Sequence, residues 1–318
     1  MARLKNFNGR YCESDYENAF LSFLEREGWQ YLSGGGIPRV SRREVLYTDD
    51  LEQFLSNTNS DLTPDEVRQI IDTVRLAGAE SDFATLHKVC GWMVNGIQFT
   101  PQNDLPRMVP LIDFEHPENN IFRAVNQFTV EYTNNGQTEN RRPDILLFVN
   151  GMPLCVIELK NPADTNATIY DAWEQINIRY WRDIPHLLHY CPLACISDGV
   201  KTRLGTVRTP YEHFYAWRRV NDGDKVSTLP FEEMETMIKG VYTPERFLEI
   251  FRDYIYFQDS EYDGDEREIV CRYPQFFATR LLKQSIIKSV IEKSGKGGTY
   301  FGATGCGKTY TCLLYTSP

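Results

Sequence analysis

The chain has no run of eighteen consecutive apolar residues, so nothing in it is built to cross a membrane as a helix. Met1 to Asn8 carry no apolar signal segment. The eight cysteines form no CxxC pair, and some sit inside apolar runs such as Leu154-Cys155-Val156-Ile157. That is the pattern of reduced core cysteines in a cytoplasmic protein, and it argues against a disulfide framework. There is no internal repeat. Positive charge is also scarce: 34 Lys and Arg face 44 Asp and Glu, a net charge of −10. Phosphate contacts draw on Lys and Arg, so at first sight this deficit argues against nucleic acid. What is present is apolar residue: 42% of 318 positions, enough for a real core and against whole-chain disorder. At roughly 150 residues per domain, the length suggests two domains.

Residues 14–27 read as a helix, with Tyr16, Phe20, Phe23 and Leu24 at helical spacing and Gly28 as a stop. A second helix starts at Thr63-Pro64-Asp65-Glu66, where Thr63 caps, Pro64 fits the first turn and Glu66 completes a capping box. Val67, Ile70, Ile71 and Val74 are its buried stripe. Strand signals dominate about 120–160, beginning with Asn126 to Tyr132. Ile145–Val149 and Leu154–Leu159 flank Asn150-Gly151, a strong hairpin turn. A helix follows at about 168–182, a short strand at Leu193–Ile196, and two helices within 230–256. The acidic run 258–268 reads as a linker and domain boundary. Gln275 to Lys293 again looks helical.

The hairpin carries the chemistry. A two-residue turn at 150–151 pairs residues whose numbers sum to about 301, which brings Asp144 beside 157–158. Glu158 and Lys160 share one face because the side-chain period of a strand is two. Two carboxylates and an ammonium then converge at one hairpin end. Close carboxylates repel, and burial raises the cost, so a divalent cation is the natural neutraliser. All-oxygen ligands suit Mg²⁺, held by Asp144 and Glu158 with the Leu159 carbonyl as a further ligand. Lys160 would orient a water and steady charge developing on a phosphate. Read on pattern alone, D-x₁₃-E-x-K also describes an ordinary hairpin with an ion pair.

Arg142-Pro143-Asp144 through Glu158-Leu159-Lys160-Asn161-Pro162 resembles the nuclease core of the restriction (R) subunit of type I restriction-modification enzymes. The resemblance continues through Asp171-Ala-Trp-Glu-Gln-Ile, Asp183-Ile-Pro and Ile196-Ser-Asp-Gly199 and covers most of residues 10–318. It implies an α/β fold: a PD-(D/E)-x-K restriction-endonuclease-like mixed sheet with flanking helices, then the start of a P-loop (RecA-like) translocase domain. It assigns Mg²⁺ binding and DNA cleavage to Asp144, Glu158 and Lys160, and matches Glu17 to a glutamate near the metal. It also implies a Gln-to-Tyr element after the core. Here that element runs from Gln175 to Tyr180, one residue longer than the family's, and five residues along a regular α-helix would take Tyr180 off the face of Gln175. Implied partners are double-stranded DNA, a methyltransferase subunit and a specificity subunit, with S-adenosylmethionine bound by the methyltransferase.

Gly302-Ala-Thr-Gly-Cys-Gly-Lys-Thr309 matches G-x-x-x-x-G-K-[ST] in full. Backbone N–H groups around Gly302, Thr304, Gly305 and Gly307 would wrap ATP phosphates. Lys308 would reach the β and γ phosphates, and Thr309 would ligate the nucleotide's Mg²⁺. Upstream, Arg272-Tyr273-Pro-Gln275 resembles an adenine-reading element, with Gln275 facing the base edge. The expected domains are therefore an endonuclease domain over 1–257 with a helical insert around 40–100, the 258–268 linker, and a truncated motor start over 269–318. The last seven or so residues resemble translated sequencing adapter, and the chain is expected to be part of a longer protein. Two weaker candidates are a zinc cluster of His186, His189, Cys191 and Cys195, and a DNA path along Arg203, Arg208, Arg218 and Arg219 with Tyr215 and Trp217. Competing functions are another nuclease–helicase fusion, such as a type III restriction or DNA-repair enzyme, and a P-loop regulatory ATPase with a structural hairpin.

Overall fold

A computed structural model describes residues 13–78, 80–102, 104–161, 168–226, 232–258 and 266–296, together with Phe301 and Gly307. Most of the phosphate loop (Gly302, Thr304, Gly305, Lys308, Thr309) and the last residues lie outside the described set.

The centre is one six-stranded sheet whose spatial order follows the chain: β1 (Gln30–Ser33), β2 (Phe122–Asn126), β3 (Ile145–Val149), β4 (Met152–Leu159), β5 (Leu193–Ser197) and β6 (Thr202–Thr206). β1–β2 and β4–β5 are parallel, and the other three pairs are antiparallel. The sheet is therefore mixed, as expected for a nuclease-like α/β fold. β3, β4 and β5 are buried along their whole length, which explains their nearly unbroken apolar sequences. The strand read from Asn126 to Tyr132 is two strands. Gln127 takes φ 53°, and the chain turns there out of β2 into a separate ribbon, Val130–Asn134 paired with Gln137–Arg141.

Helices flank the sheet. α1 (Glu13–Arg26) buries Phe20, Leu21 and Leu24. The long β1–β2 connection holds α2 (Thr48–Thr58), α3 (Pro64–Arg75) and α4 (Asp82–Asn95), the helical insert expected around 40–100. The capping box at α3 forms as read: Thr63 Oγ1 accepts from Glu66 N at 3.3 Å, and Glu66 Oε2 accepts from Thr63 N at 2.8 Å. Val67, Ile70, Ile71 and Val74 are buried. α5 (Ile169–Glu174) crosses from β4 to β5. α6 (Glu232–Val241) and α7 (Pro244–Asp253) meet where Gly240 and Pro244 punctuate the sequence.

The described ends of the acidic stretch lie in one strand pair. Gln258 and Arg267–Glu268 belong to an antiparallel pair, β7 (Ile255–Gln258) with β8 (Arg267–Val270), while 259–265 lie outside the described residues. Glu268 is buried at 3% exposure, and neither carboxylate oxygen has a hydrogen-bond partner among the described residues. The Thr206 hydroxyl beside it donates to the Glu268 backbone carbonyl instead. Beyond β8, α8 (Tyr273–Glu292) packs Phe276 against Trp217 (5.4 Å between centroids) and Tyr254 (5.0 Å). The first helix after the acidic run is thus part of the same hydrophobic core.

Asn150-Gly151 is the pin of the central hairpin. Both residues have positive φ, 49° and 76°, the conformation of a type I′ turn. The turn is buried, and Asn150 satisfies it: Oδ1 accepts from Ile121 N, and Nδ2 donates to Leu111 O and Asn120 Oδ1. Gly151 lies so close to α2 that an added Cβ would stand 2.0 Å from the Tyr47 carbonyl oxygen. Gly151→Ala therefore meets both backbone strain and a clash with main chain that cannot swing away. Urea unfolding should show a loss of about 2 kcal/mol or more.

Burial holds the Glu268 carboxyl well above the usual carboxylate range. Its neutral form is the one the fold favours, so this stabilising contribution is present in acid and is lost as pH rises through the folded-state value. Glu268→Gln removes that titration. Melting temperature should then fall less steeply between pH 5 and pH 8 than in the parent, and an unchanged slope would show that Glu268 is not the responsible group.

Candidate active site

The ladder between β3 and β4 begins with the expected sum of 301: Val149 faces Met152, and Phe148 faces Pro153. It then slips by one. Leu147 faces Cys155, Leu146 faces Val156, and Ile145 faces Ile157. Leu154 is the extra residue of a β-bulge, next to Pro153, which has no N–H to give the ladder. The slip decides the chemistry. On the unshifted register Asp144 would face Ile157, and Glu158 would point to the opposite side of the sheet. With the bulge, Asp144 comes opposite Glu158. Asp144 Oδ2 accepts from Leu159 N at 2.8 Å, so the Leu159 amide is the group on Asp144, where its carbonyl was expected nearby as a ligand.

Glu158 is fully buried near the end of an otherwise apolar strand. Its Oε2 accepts from Gln175 Nε2 at 2.7 Å, and its Oε1 from Tyr180 OH at 2.5 Å. Gln175 Nε2 also donates to Tyr180 OH at 2.8 Å, and Gln175 Oε1 accepts from Lys160 Nζ at 2.9 Å. Lys160 Nζ stands 3.9 Å from Glu158 Oε2. Burial and then the Asp144 charge push the Glu158 carboxyl well above its ordinary range. Burial also raises Asp144, against the Leu159 amide and Lys160, which pull it down. Tyr180 is raised by burial and by the neighbouring Glu158 charge. Both carboxyls are thus shifted toward their neutral forms by burial. The donor set of the pair is all oxygen, largely dry and short of positive charge, which fits a hard divalent ion better than a zinc-type site.

Tyr180 reaches Glu158 because the helix is not regular. After α5 the backbone runs as a π-helix from Gln175 to Tyr180 before Trp181–Asp183 resumes α geometry. The wider i→i+5 turn puts residues five apart on one face. The extra residue between Gln175 and Tyr180 is absorbed, and the expectation that Tyr180 leaves the Gln175 face does not hold. The lengthened spacing was itself the available signal.

Glu17, on α1, is 9% exposed and accepts from Asn126 Nδ2 (2.6 Å) and Gln127 Nε2 (2.9 Å). Gln127 N in turn donates to the Asp144 carbonyl at 3.0 Å. Asn126 and Gln127 were not singled out from sequence, since two amides after a strand carry no motif. Among the described residues no cluster of three or more His, Cys, Asp or Glu has a metal-holding arrangement, so Glu17 does not form a ready triad with Asp144 and Glu158. The same observation removes the zinc idea. His189 pairs with Asp82, Cys191 donates to the Pro153 carbonyl, and Cys195 is in the core strand β5.

Of the residues of the expected DNA path, Arg208, Tyr215 and Trp217 form a packed joint, Arg203 lies over the Tyr211 ring, and Arg218 is exposed. Trp217 is buried on Phe276, the Arg272 guanidinium lies 3.4 Å from the Tyr215 ring centroid, and Arg208 sits over Phe83 and Trp181. A cleft of about 510 Å³ opens here, lined by Arg208, His213, Tyr215, Arg272, Gln275 and Gly307 among others. Gln275 is buried, accepting from Arg272 N (2.8 Å) and donating to the Gly307 carbonyl (3.0 Å). It therefore tethers the one loop glycine that is described to the start of α8.

Comparison with known proteins adds a family. The chain is 28% identical to the putative type I restriction enzyme MjaIXP endonuclease subunit of Methanocaldococcus jannaschii, over 94% of this chain and 30% of that protein. It is 30% identical to the type I restriction enzyme HindI endonuclease subunit of Haemophilus influenzae, over 95% of this chain and 29% of that protein. Against the EcoprrI endonuclease subunit of Escherichia coli it is 23% identical over 91% of this chain. The chain thus spans under a third of the length of the first two relatives. The family model for the N terminus of the type I restriction enzyme R protein matches residues 10–213, which hold every residue of the carboxylate site. With that match running over more than half its length, the chain belongs to the type I restriction enzyme R protein N-terminus family.

Proposed function

We propose that this chain is the nuclease-bearing portion of a type I restriction R subunit, cleaving double-stranded DNA with Mg²⁺ in a protein that also moves DNA with ATP. One observation carries the reading: a bulge and a π turn together bring Asp144, Glu158, Lys160, Gln175 and Tyr180 into a single hydrogen-bonded group. A purely structural hairpin has no use for a fully buried Glu158 facing a second carboxylate, because such a pair costs stability that an apolar pair would not.

Asp144 and Glu158, once deprotonated, would hold Mg²⁺, which would supply Lewis acidity to the scissile phosphate and to an attacking water. Lys160 is positioned to orient that water and to offset negative charge on the phosphate in the transition state. Gln175 ties the Lys160 ammonium to Glu158, fixing the distance between them. Tyr180 donates to Glu158 Oε1, which orients the carboxylate. Glu17 stays linked to the site through Gln127.

The cleft at Arg272, Gln275 and Gly307 is read as the entrance of an ATP site. Thr304, Lys308 and Thr309 would complete it, with Thr309 on the nucleotide's Mg²⁺. Gln275 would exchange its Gly307 contact for the adenine edge. Methyltransferase and specificity subunits would supply S-adenosylmethionine binding and sequence recognition, in the cytoplasm. The described residues contain no helix long and apolar enough to cross a membrane.

In the full-length R subunit assembled with its partners, Asp144→Ala should lower DNA cleavage by roughly a thousandfold while ATP hydrolysis continues. Equal cutting by the variant would overturn the nuclease assignment in favour of a regulatory ATPase. Gln275→Ala should raise KM for ATP by about tenfold, the effect of one or two lost hydrogen bonds, with DNA cleavage at saturating ATP retained. An unchanged KM would remove Gln275 from the nucleotide site.

A further inference from the structure

Among the described residues, the ribbon Val130–Asn134/Gln137–Arg141 belongs to no larger sheet. An isolated two-stranded ribbon is barely stable in water, so its retention calls for anchors. These are all at one end. Val130 and Tyr132 are buried. Arg141, over the Tyr132 ring, is ion-paired with the buried Asp183 at 2.6 Å, and Asp183 also takes Arg182. The other end is open to solvent: residues 133–138 are all exposed, with Thr133 accepting from Arg43 and Asn134 donating to Glu139. The tip turns through Asn135 and Gly136, both at positive φ, and offers amide and hydroxyl side chains without a charge.

Its surroundings are basic in a chain that is acidic overall. The Arg42 carbonyl accepts from Glu131 N, which lays the segment around Arg42 and Arg43 along the first ribbon strand. Arg43 donates to Thr133 Oγ1 and is exposed. Arg142, at the foot of the second strand, is exposed and has no ion pair among the described residues. The two ribbon carboxylates are already engaged: Glu131 by Arg42 at 3.8 Å, and Glu139 by Tyr132 and Asn134 at 2.7 and 2.8 Å. The second strand runs through Arg142-Pro143 straight into Asp144.

We propose that this ribbon docks in a groove of the double-stranded DNA to be cut, with its polar tip against base edges and Arg43 and Arg142 on phosphates beside it. The inference rests on the nuclease reading of Asp144 and Glu158 and adds the surface that brings the phosphodiester to them. The dimensions agree. From Arg141 to Gln137 the ribbon is about 13 Å long at roughly 3.3 Å per residue, and the major groove is about 12 Å wide and 8.5 Å deep, wide enough for a two-stranded ribbon. A firmly seated base with a solvent-exposed tip is preorganised for such insertion, and phosphate contacts from its flanks would set the register without reading sequence.

The test uses full-length R subunit assembled with its methyltransferase and specificity partners on a DNA carrying a recognition site. Thr138→Glu puts a negative charge on the exposed tip, far along the ribbon from Asp144. Arg142→Gln removes a phosphate contact at its foot. Both should lower cleavage at least tenfold near physiological salt and flatten the log–log salt dependence by about one, because each takes one unit of positive charge from the DNA-facing surface. ATP-driven translocation should be unchanged in both. Wild-type cleavage and salt dependence by Thr138→Glu would overturn the docking, and an effect confined to Arg142→Gln would place that residue on Asp144 alone and overturn it too. Asp144→Ala run in parallel separates the two failures: if it still cuts, the nuclease reading has failed; if it is dead while the ribbon variants are normal, only the docking has.

Discussion

Cross-strand partners in a hairpin share a face, and their immediate neighbours do not. That single rule makes the extra residue Leu154 the constraint on which this molecule's chemistry depends. The Asn150-Gly151 turn fixes a register that would leave Asp144 and Glu158 on opposite sides of a buried sheet, one of them facing apolar core. The one-residue slip after Phe148–Pro153 carries Glu158 across to the side of Asp144. Helix α5 then meets the same requirement from its own side. One added residue becomes a π turn, and Gln175 and Tyr180 reach Glu158 together. Two insertions of one residue, each locally unfavourable, are both resolved at one carboxylate.

Glu158 illustrates how an energetically poor group is tolerated. Burial in so dry a position pushes the Glu158 carboxyl above its ordinary range, and the Asp144 charge beside it adds to that shift. Gln175, Tyr180 and Lys160 offset part of the cost through hydrogen bonds and charge, yet the described residues place just one ammonium, Lys160, against two carboxylates. The deficit of positive charge is what makes the pair receptive to a cation. A site satisfied in the absence of the ion would have little affinity for it.

Much of this could be read before any coordinates. The I′ turn, the α3 capping box and the arrival of position 144 beside 157–158 at one hairpin end follow from turn chemistry, caps and period. All of these are local. What could not be read depends on a second element. Pro153 marked a weak point in the ladder, but the slip at Leu154 is decided by which register buries the hairpin best. The Gln175–Tyr180 spacing looked like an interruption because a regular helix was assumed. Arg208, Tyr215 and Trp217 looked like a basic aromatic surface because the chain that covers them, α8 and β8, lies fifty to seventy residues further on. The amides of Asn126 and Gln127 gave no signal, since only the fold brings them to Glu17.

Charge bulk and charge placement also part company. Six acidic residues, 259, 261, 263, 265, 266 and 268, contribute much of the −10, and their clustering suggested a solvated tether. Yet Glu268 is inside, on a strand that pairs with β7 and abuts β6, and α8 continues into the core shared with Trp217 and Tyr254. The packing is continuous across the point where composition changes. The Gly307–Gln275 contact therefore adjoins side chains that pack without a break through α8 and Trp217 toward the outer strands of the sheet that carries Glu158.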